Sequence, residues 1–407
     1  MSEWLQQAIA HADSIQDGFA EQRSASLALL KDTKWPNRKT EAWKYTPLRA
    51  VERSSAVIKE DSPELMPQSV LGADFLELTF VDGQLVALPD ELPDGLTITM
   101  QESSIFATIK PERHLFGLVN DVLASDIVIV TVAEGVQVEQ PIRINNLLSS
   151  GAQAHIRTVV ELKPKSSLAV VETSEAHGNT LATAFTEYLV GAEAKLEHYR
   201  FALQTDDNVA VGGSHFKLLE KAVLNSSIIG FGSQLQRIDT DIIHAGEKAD
   251  AKLNAIYLLD GQELFDLHAT VEHEVPNCTT EENIRGIAAD RSRAVFNGRI
   301  HIHRDAQKTL AELNNRNLLL SDKAEINTKP ELEIYADDVR CAHGATIAEI
   351  DKKALYYLQT RGVSKSQAQL MLSFGFINEL IDQMPNAELA EWVRPIIRDR
   401  FAQMEVK

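Results

Sequence analysis

The sequence predicts a mainly β protein in which short strands stack into a parallel β-helix, a solenoid, between helical ends. Three observations carry that expectation. From about Asp126 to Ala342, short β-rich runs such as Ile127–Val132, Thr158–Leu162, Leu168–Glu172, Ser227–Phe231 and Ala255–Leu259 follow one another with almost no helical spacing. A similar strand start recurs at Leu168, Leu196, Leu224, Leu253, Phe296 and Ile326, at intervals of 28, 28, 29, 43 and 30 residues, which suggests coils of near-constant length with one insertion between Leu253 and Phe296. Around those starts the same residues return: Ala194, Ala222, Ala251, Ala294 and Ala324 just before, and Asn225, Asn254, Asn297 and Asn327 just after, where stacked amides could bond from coil to coil. A large β-sandwich or barrel also gives strands every ~8–12 residues, so spacing alone leaves that arrangement open, and it is the recurrence that favours the solenoid.

The flanks read differently. Trp4, Leu5, Ala8, Ile9, Ala12, Ile15 and Phe19 stand at helical spacing, and a second apolar cluster, Leu27 to Leu30, precedes Trp35-Pro36. Up to about residue 95 the chain then mixes prolines with one strand-like run, Phe75 to Val81, beside Asp82-Gly83. At the other end a helix over Lys352–Arg361 stops at Gly362, and Ser364 with Gln367 forms a capping box. Leu370, Phe374, Ile377, Ile381 and Met384 follow on one face until Pro385-Asn386, with Asn386 as N-cap of a last helix from Ala387 toward Met404. The domain boundaries expected are 1–95 for the helical and connecting region, 96–345 for the β-helix core and 346–407 for the C-terminal helices.

Composition narrows the function. At 407 residues and 44% hydrophobic the chain can bury a large core, and 59 acids against 40 bases leave a net charge of −19, which disfavours nucleic acid and acidic membrane surfaces. Residues 346–407 hold eight acids and eight bases, so the whole excess lies in the first 345 residues, and the neutral tail looks like a separate docking module. Only Cys278 and Cys341 occur, too few for a disulfide framework. The start lacks a signal-peptide apolar region and the longest apolar runs fall far short of ~18 residues, so a cytoplasmic protein without a membrane span is expected.

Cys341-Ala342-His343 is the one place where a thiol and an imidazole sit two apart, which in an extended segment points both the same way, and both are metal-ligand types. The alternative is a buried free cysteine beside a histidine that satisfies a backbone group. His301-Ile302-His303 pairs two imidazoles, and Asp266-Leu267-His268 with His273 and Cys278 forms a further collection, but neither has a structural-zinc spacing. No Gly-x₄-Gly-Lys-Ser/Thr, Gly-x-Gly-x-x-Gly or Gly-x-Ser-x-Gly occurs, so no nucleotide is expected to bind to this chain by either phosphate loop, and serine-hydrolase chemistry is disfavoured. An iron–sulfur cluster normally needs four thiolates, so with two the chain would have to share such a site.

Three long motifs carry a resemblance: residues 296–309 (FNGRIHIHRDAQKT), 317–322 (NLLLSD) and 329–346 (KPELEIYADDVRCAHGAT), extended by 354–362 (ALYYLQTRG). The chain resembles the SufB/SufD family of iron–sulfur cluster assembly proteins, and residues 41–48 (EAWKYTPL), the length and the cysteine poverty look like its SufD branch. The resemblance implies a right-handed parallel β-helix and a non-catalytic scaffold in a complex with a SufB paralogue, paired through the β-helices. It also implies binding of the SufC ABC-type ATPase through the C-terminal helices. It places the nascent cluster at the paralogue interface, where the SufD contribution is the His of a Cys-x-His motif, here His343 with Cys341 beside it; Ala342 stands where the family usually has serine. A homodimer is also conceivable. The other class of function is a stand-alone β-helix carbohydrate lyase or hydrolase, which would need a groove of acids and bases such as Asp239, Asp241, Asp266 and Arg285.

Overall fold

A computed structural model describes residues 2–12, 15, 18–61, 63–67, 74–100, 114–205 and 207–405. Successive strands alternate between two sheets: Gln153–Leu162 lies in one, Ser167–Ala176 in the other, Leu181–Val190 back in the first, and so on to Glu325–Ile334 and Arg340–Glu349. The result is a parallel β-solenoid of about eight turns, with a ten-stranded and a nine-stranded sheet facing each other. Leu76–Val81 continues the ten-stranded sheet, parallel to Ile142–Leu148.

Residues stacked in register down the ten-stranded sheet are Leu168, Leu196, Leu224, Ala251, Thr280, Ala311 and Cys341, which stand 28, 28, 27, 29, 31 and 30 positions apart. The expected insertion between Leu253 and Phe296 therefore does not exist. Leu253 lies two residues beyond its coil's equivalent of Leu224, Thr279–Ala288 is a full strand that the repeat overlooked, and Phe296 and Ile326 belong to the opposite sheet. The asparagine ladder changes members for the same reason. Asn225 pairs with Lys252, whereas Asn254, Asn283 and Asn314 are register neighbours, with Asn283 Nδ2 3.4 Å from Asn254 Oδ1.

One corner of each coil repeats in detail. Lys165, Glu193, Lys221, Lys248, Asn277 and Lys308 all have φ between 56° and 65°, a left-handed conformation uncommon for residues with a Cβ. The amide of each but Lys248 donates to a carbonyl of the next coil (Lys165 to Ala192, Glu193 to Glu220, Lys221 to Glu247, Asn277 to Gln307, Lys308 to Asp338), which offsets the strain coil by coil. The residue that follows (Ser166, Ala194, Ala222, Ala249, Cys278, Thr309) turns inward and is buried each time.

Both outer faces of the solenoid are covered. Helices Glu3–Ala12 and Leu115–Leu123, with Trp43, pack on Leu181, Phe185, Val209, Val211 and Leu235 of the nine-stranded sheet. Helices Lys365–Asp382 and Ala387–Glu405 pack on Tyr199, Phe201, Ile229, Phe231, Ile256 and Leu258 of the ten-stranded sheet, and the Asn386 amide donates to Tyr199 Oη. The neutral tail is thus fixed along a side of the β body instead of standing off it as an appendage. The helix before it, Lys352–Thr360, has an Asp351 N-cap and no buried residue.

Candidate functional site at the last coil

Cys341 and His343 lie on Arg340–Glu349, the outermost strand of the ten-stranded sheet, whose only strand partner among the described residues is Leu310–Leu319. Register decides which way they point. Cys341 continues the column Ala251–Thr280–Ala311, and His343 continues Leu253–Glu282–Leu313. The six residues above them are fully buried in the lumen, so both side chains face the lumen at its open end. With no further coil to cover them, Cys341 is only half-buried against the core and His343 is exposed. Their Cα atoms stand about 7 Å apart along the strand, on one face. Burial pushes the Cys341 thiol above its ordinary range, with a backbone hydrogen bond at Ala311 pulling the other way. Around this pair the edge exposes Ile334, Tyr335 and Ile347.

The remaining sequence candidates separate into different surroundings. His301 and His303 face outward on either side of the buried Ile302, with ring centroids 4.5 Å apart, and His301 Nδ1 lies 3.0 Å from the Glu333 carboxylate that also binds Arg299. The Asp266/His268/His273/Cys278 collection is split by the sheet. Asp266 sits 3.0 Å from His268 on the outer face, where it also accepts from Arg237 and Thr46, whereas His273 and Cys278 are inside the lumen. There they meet His244, which the sequence reading missed because nothing but the register distinguishes it from a strand-end histidine.

The groove that a lyase would use does not form from the four residues named. Asp239 is paired with Arg237, Asp241 accepts from His114 and His215, and Asp266 is held as above, all three buried beneath the N-terminal segment. Arg285 is in the opposite sheet, beside Phe376 and Glu379. Asp266 and its partner Arg237 instead clamp residues 41–48. Trp43 lies over the Arg237 guanidinium at 3.9 Å, Thr46 Oγ1 donates to Asp266 at 2.6 Å, and Glu41 pairs with Lys329, so that two of the sequence motifs meet in space.

Comparison with known proteins agrees with this architecture. Residues 144–376 match the family model "SUF system FeS cluster assembly, SufBD core domain". The chain is 30% identical over 393 residues to the iron–sulfur cluster assembly protein SufD of Escherichia coli, covering 93% of this chain and 92% of that one. It is 25% identical over 422 residues to the chloroplastic protein ABCI7 of Arabidopsis thaliana, covering 94% and 88%, and 24% identical over 410 residues to a SufBD family protein of Synechocystis, covering 93% and 90%. With a core-domain match over more than half its length, this chain belongs to the SufB/SufD family of iron–sulfur cluster assembly proteins and is most like the SufD branch.

Proposed function

We propose that the chain is a scaffold subunit for iron–sulfur cluster assembly that turns over no substrate of its own and supplies half of a cluster site, with His343 and Cys341 as its ligands. The observation that carries this reading is the uncovered last coil, where a thiol and an imidazole face inward beside an unpaired strand edge. An edge of this kind is a template for another chain. A SufB-like paralogue docking there would bury both side chains and add the ligands that two cysteines cannot provide, so the nascent cluster is a shared cargo. A SufC-like ATPase would bind the C-terminal helices, where Tyr356, Tyr357 and Met371 are exposed on an otherwise polar surface. Nucleotide would belong to that partner, and a homodimer through the same edge would leave His343 facing its own copy.

The test is co-expression with a SufB-like and a SufC-like protein, followed by anaerobic cluster reconstitution of the purified assembly. The pure chain should hold no stable cluster, and the assembly should. Stoichiometric iron, sulfide and cluster absorbance in the monomer would sink the half-site. For the ATPase contact, serine at both Tyr356 and Tyr357 is a better probe than truncation, because removing residues 350–405 would strip the cover from Phe201, Phe231 and Leu258. Undiminished ATPase capture by that double variant would move the contact elsewhere.

A further inference from the structure

The lumen of a solenoid is expected to be apolar, and most of this one is. Down the nine-stranded sheet the inward column at the strand ends reads Val132, Leu162, Val190, Leu218, His244, His273, Ile302 and Ile334. Two adjacent coils replace an aliphatic side chain with histidine. At the same level the corner column Ala194–Ala222–Ala249 is continued by Cys278, and the leucine column Leu168–Leu196–Leu224 has become Thr280. His244 and His273 are the two histidines of an otherwise aliphatic column, and Cys278 and Thr280 adjoin them in columns that also hold Ser166, Thr309 and Cys341 elsewhere.

Its geometry is that of a ligand set. One ring nitrogen of His244, one of His273 and the Cys278 sulfur all lie within 4.8 Å of one another, and all three residues are buried. The two imidazoles stack at 4.3 Å with an interplanar angle of 6°. Thr280 Oγ1 is hydrogen-bonded to both Nε2 atoms, at 2.8 and 3.1 Å, and holds the rings by one edge. Both Nδ1 atoms are buried without any hydrogen-bond partner. In the tautomer that carries the proton on Nε2 of both rings, the hydroxyl accepts from each and both Nδ1 atoms keep a bare lone pair.

We propose that His244, His273 and Cys278 form an internal site for a borderline-soft transition-metal ion of the Zn2+ class, separate from the last-coil pair. Two imidazoles and one thiolate match that ion, with water as a fourth ligand, and donors at roughly 2.0–2.3 Å from an ion require the three side chains to draw together and the stacked rings to tilt out of parallel. Binding exchanges the Cys278 thiol proton for the metal: the S–H bond breaks, the proton leaves to solvent, and no electron is transferred. The turn Glu274–Asn277, immediately before Cys278, is partly exposed.

The experiment uses the full chain, expressed with added Zn2+ and, separately, Co2+, then passed over a weak chelator. Stoichiometric retained zinc and a near-ultraviolet thiolate-to-cobalt charge-transfer band are expected. Cys278→Ala, which restores the residue of its own column, should lose the band and the retained zinc, and so should the His244→Leu/His273→Leu double variant, which restores the aliphatic column. A Cys341→Ala/His343→Ala variant should keep both. Failure of the wild-type chain to retain either ion overturns the site, as does equal retention by Cys278→Ala or loss of the band only with the last-coil variant. Unchanged melting temperatures of the column-restoring variants without metal show that their loss of metal is not a loss of fold.

Discussion

The two ends of the solenoid share one repeat and differ in their cover. At the first end the parallel strands Leu76–Val81 and Ile127–Val132 are each closed by an antiparallel strand, Gln84–Ala87 and Leu96–Thr99, and nearly every residue of the closed strands is buried. At the last end Arg340–Glu349 has no buried residue at all. Solenoids need capping at their termini because each coil's inner face is otherwise left in water. One end carries its cap in its own sequence, and the other leaves its lumen-facing residues uncovered among the described residues. Burial along one column therefore measures where the molecule's own cover ends.

The column Leu253–Glu282–Leu313–His343 gives the sharpest way to break that comparison, since its first three members are fully buried and its last is exposed. Leu313→Ala, one coil from the end, should cost about 2–5 kcal/mol of stability, the range for truncating a fully buried leucine. Denaturant unfolding measures it. A cost below about 1 kcal/mol would mean that the lumen is already open one coil further in.

Glu282 sharpens it next. Neither carboxylate oxygen has a partner, and burial raises the pKa from 4.5 to about 8, so the folded chain holds a proton that the unfolded chain releases. Its contribution is complete below pH ~4.5 and is lost as pH rises through about 8. The wild-type chain should therefore lose stability relative to Glu282→Gln between those values, by a few kcal/mol. Parallel stability-versus-pH curves for the two proteins would show that the carboxyl has found water.

How much of this could be read from residues alone depends on what each column holds. The solenoid was legible where leucine repeats, at Leu168, Leu196 and Leu224, and became misleading where Ala251 takes that place and Leu253 stands two residues on. The C-terminal helices were legible because their apolar spacing is local, and the Ser364 Oγ to Gln367 N–H cap forms as expected. That their apolar face covers Phe201 and Phe231 was not, since it requires knowing which sheet face is bare. Cys341 and His343 were readable as a pair on one face. Which face was hidden by Asp337–Arg340, a break in alternation that only the hydrogen-bond register bridges.

The two cysteines provide a smaller contrast. Cys341 should react with a thiol alkylator in the native chain and Cys278 only on unfolding, because one is half-buried at the edge and the other lies wholly in the lumen. Burial raises both thiols, so the Cys341 rate should keep climbing with pH beyond the ordinary thiol range. Mass spectrometry of modified peptides reads the outcome, and a Cys278 as reactive as Cys341 would deny the difference between interior and end.

The smallest expected effect on stability belongs to His343→Ala. Its side chain is exposed, so the change should stay within about 0.5 kcal/mol, far below that of Leu313→Ala directly above it in the same column. The functional effect should run the other way. Because the ring is exposed, removing it takes away a donor without leaving a buried charge behind. The complex with a SufB-like partner should still assemble, and its cluster yield should fall. Melting temperature, complex recovery and cluster absorbance measured on the same variant separate the two readings of this histidine. A variant that melts much earlier, yet whose surviving complex builds clusters at the wild-type yield, would make His343 a packing residue and the open end a surface without chemistry.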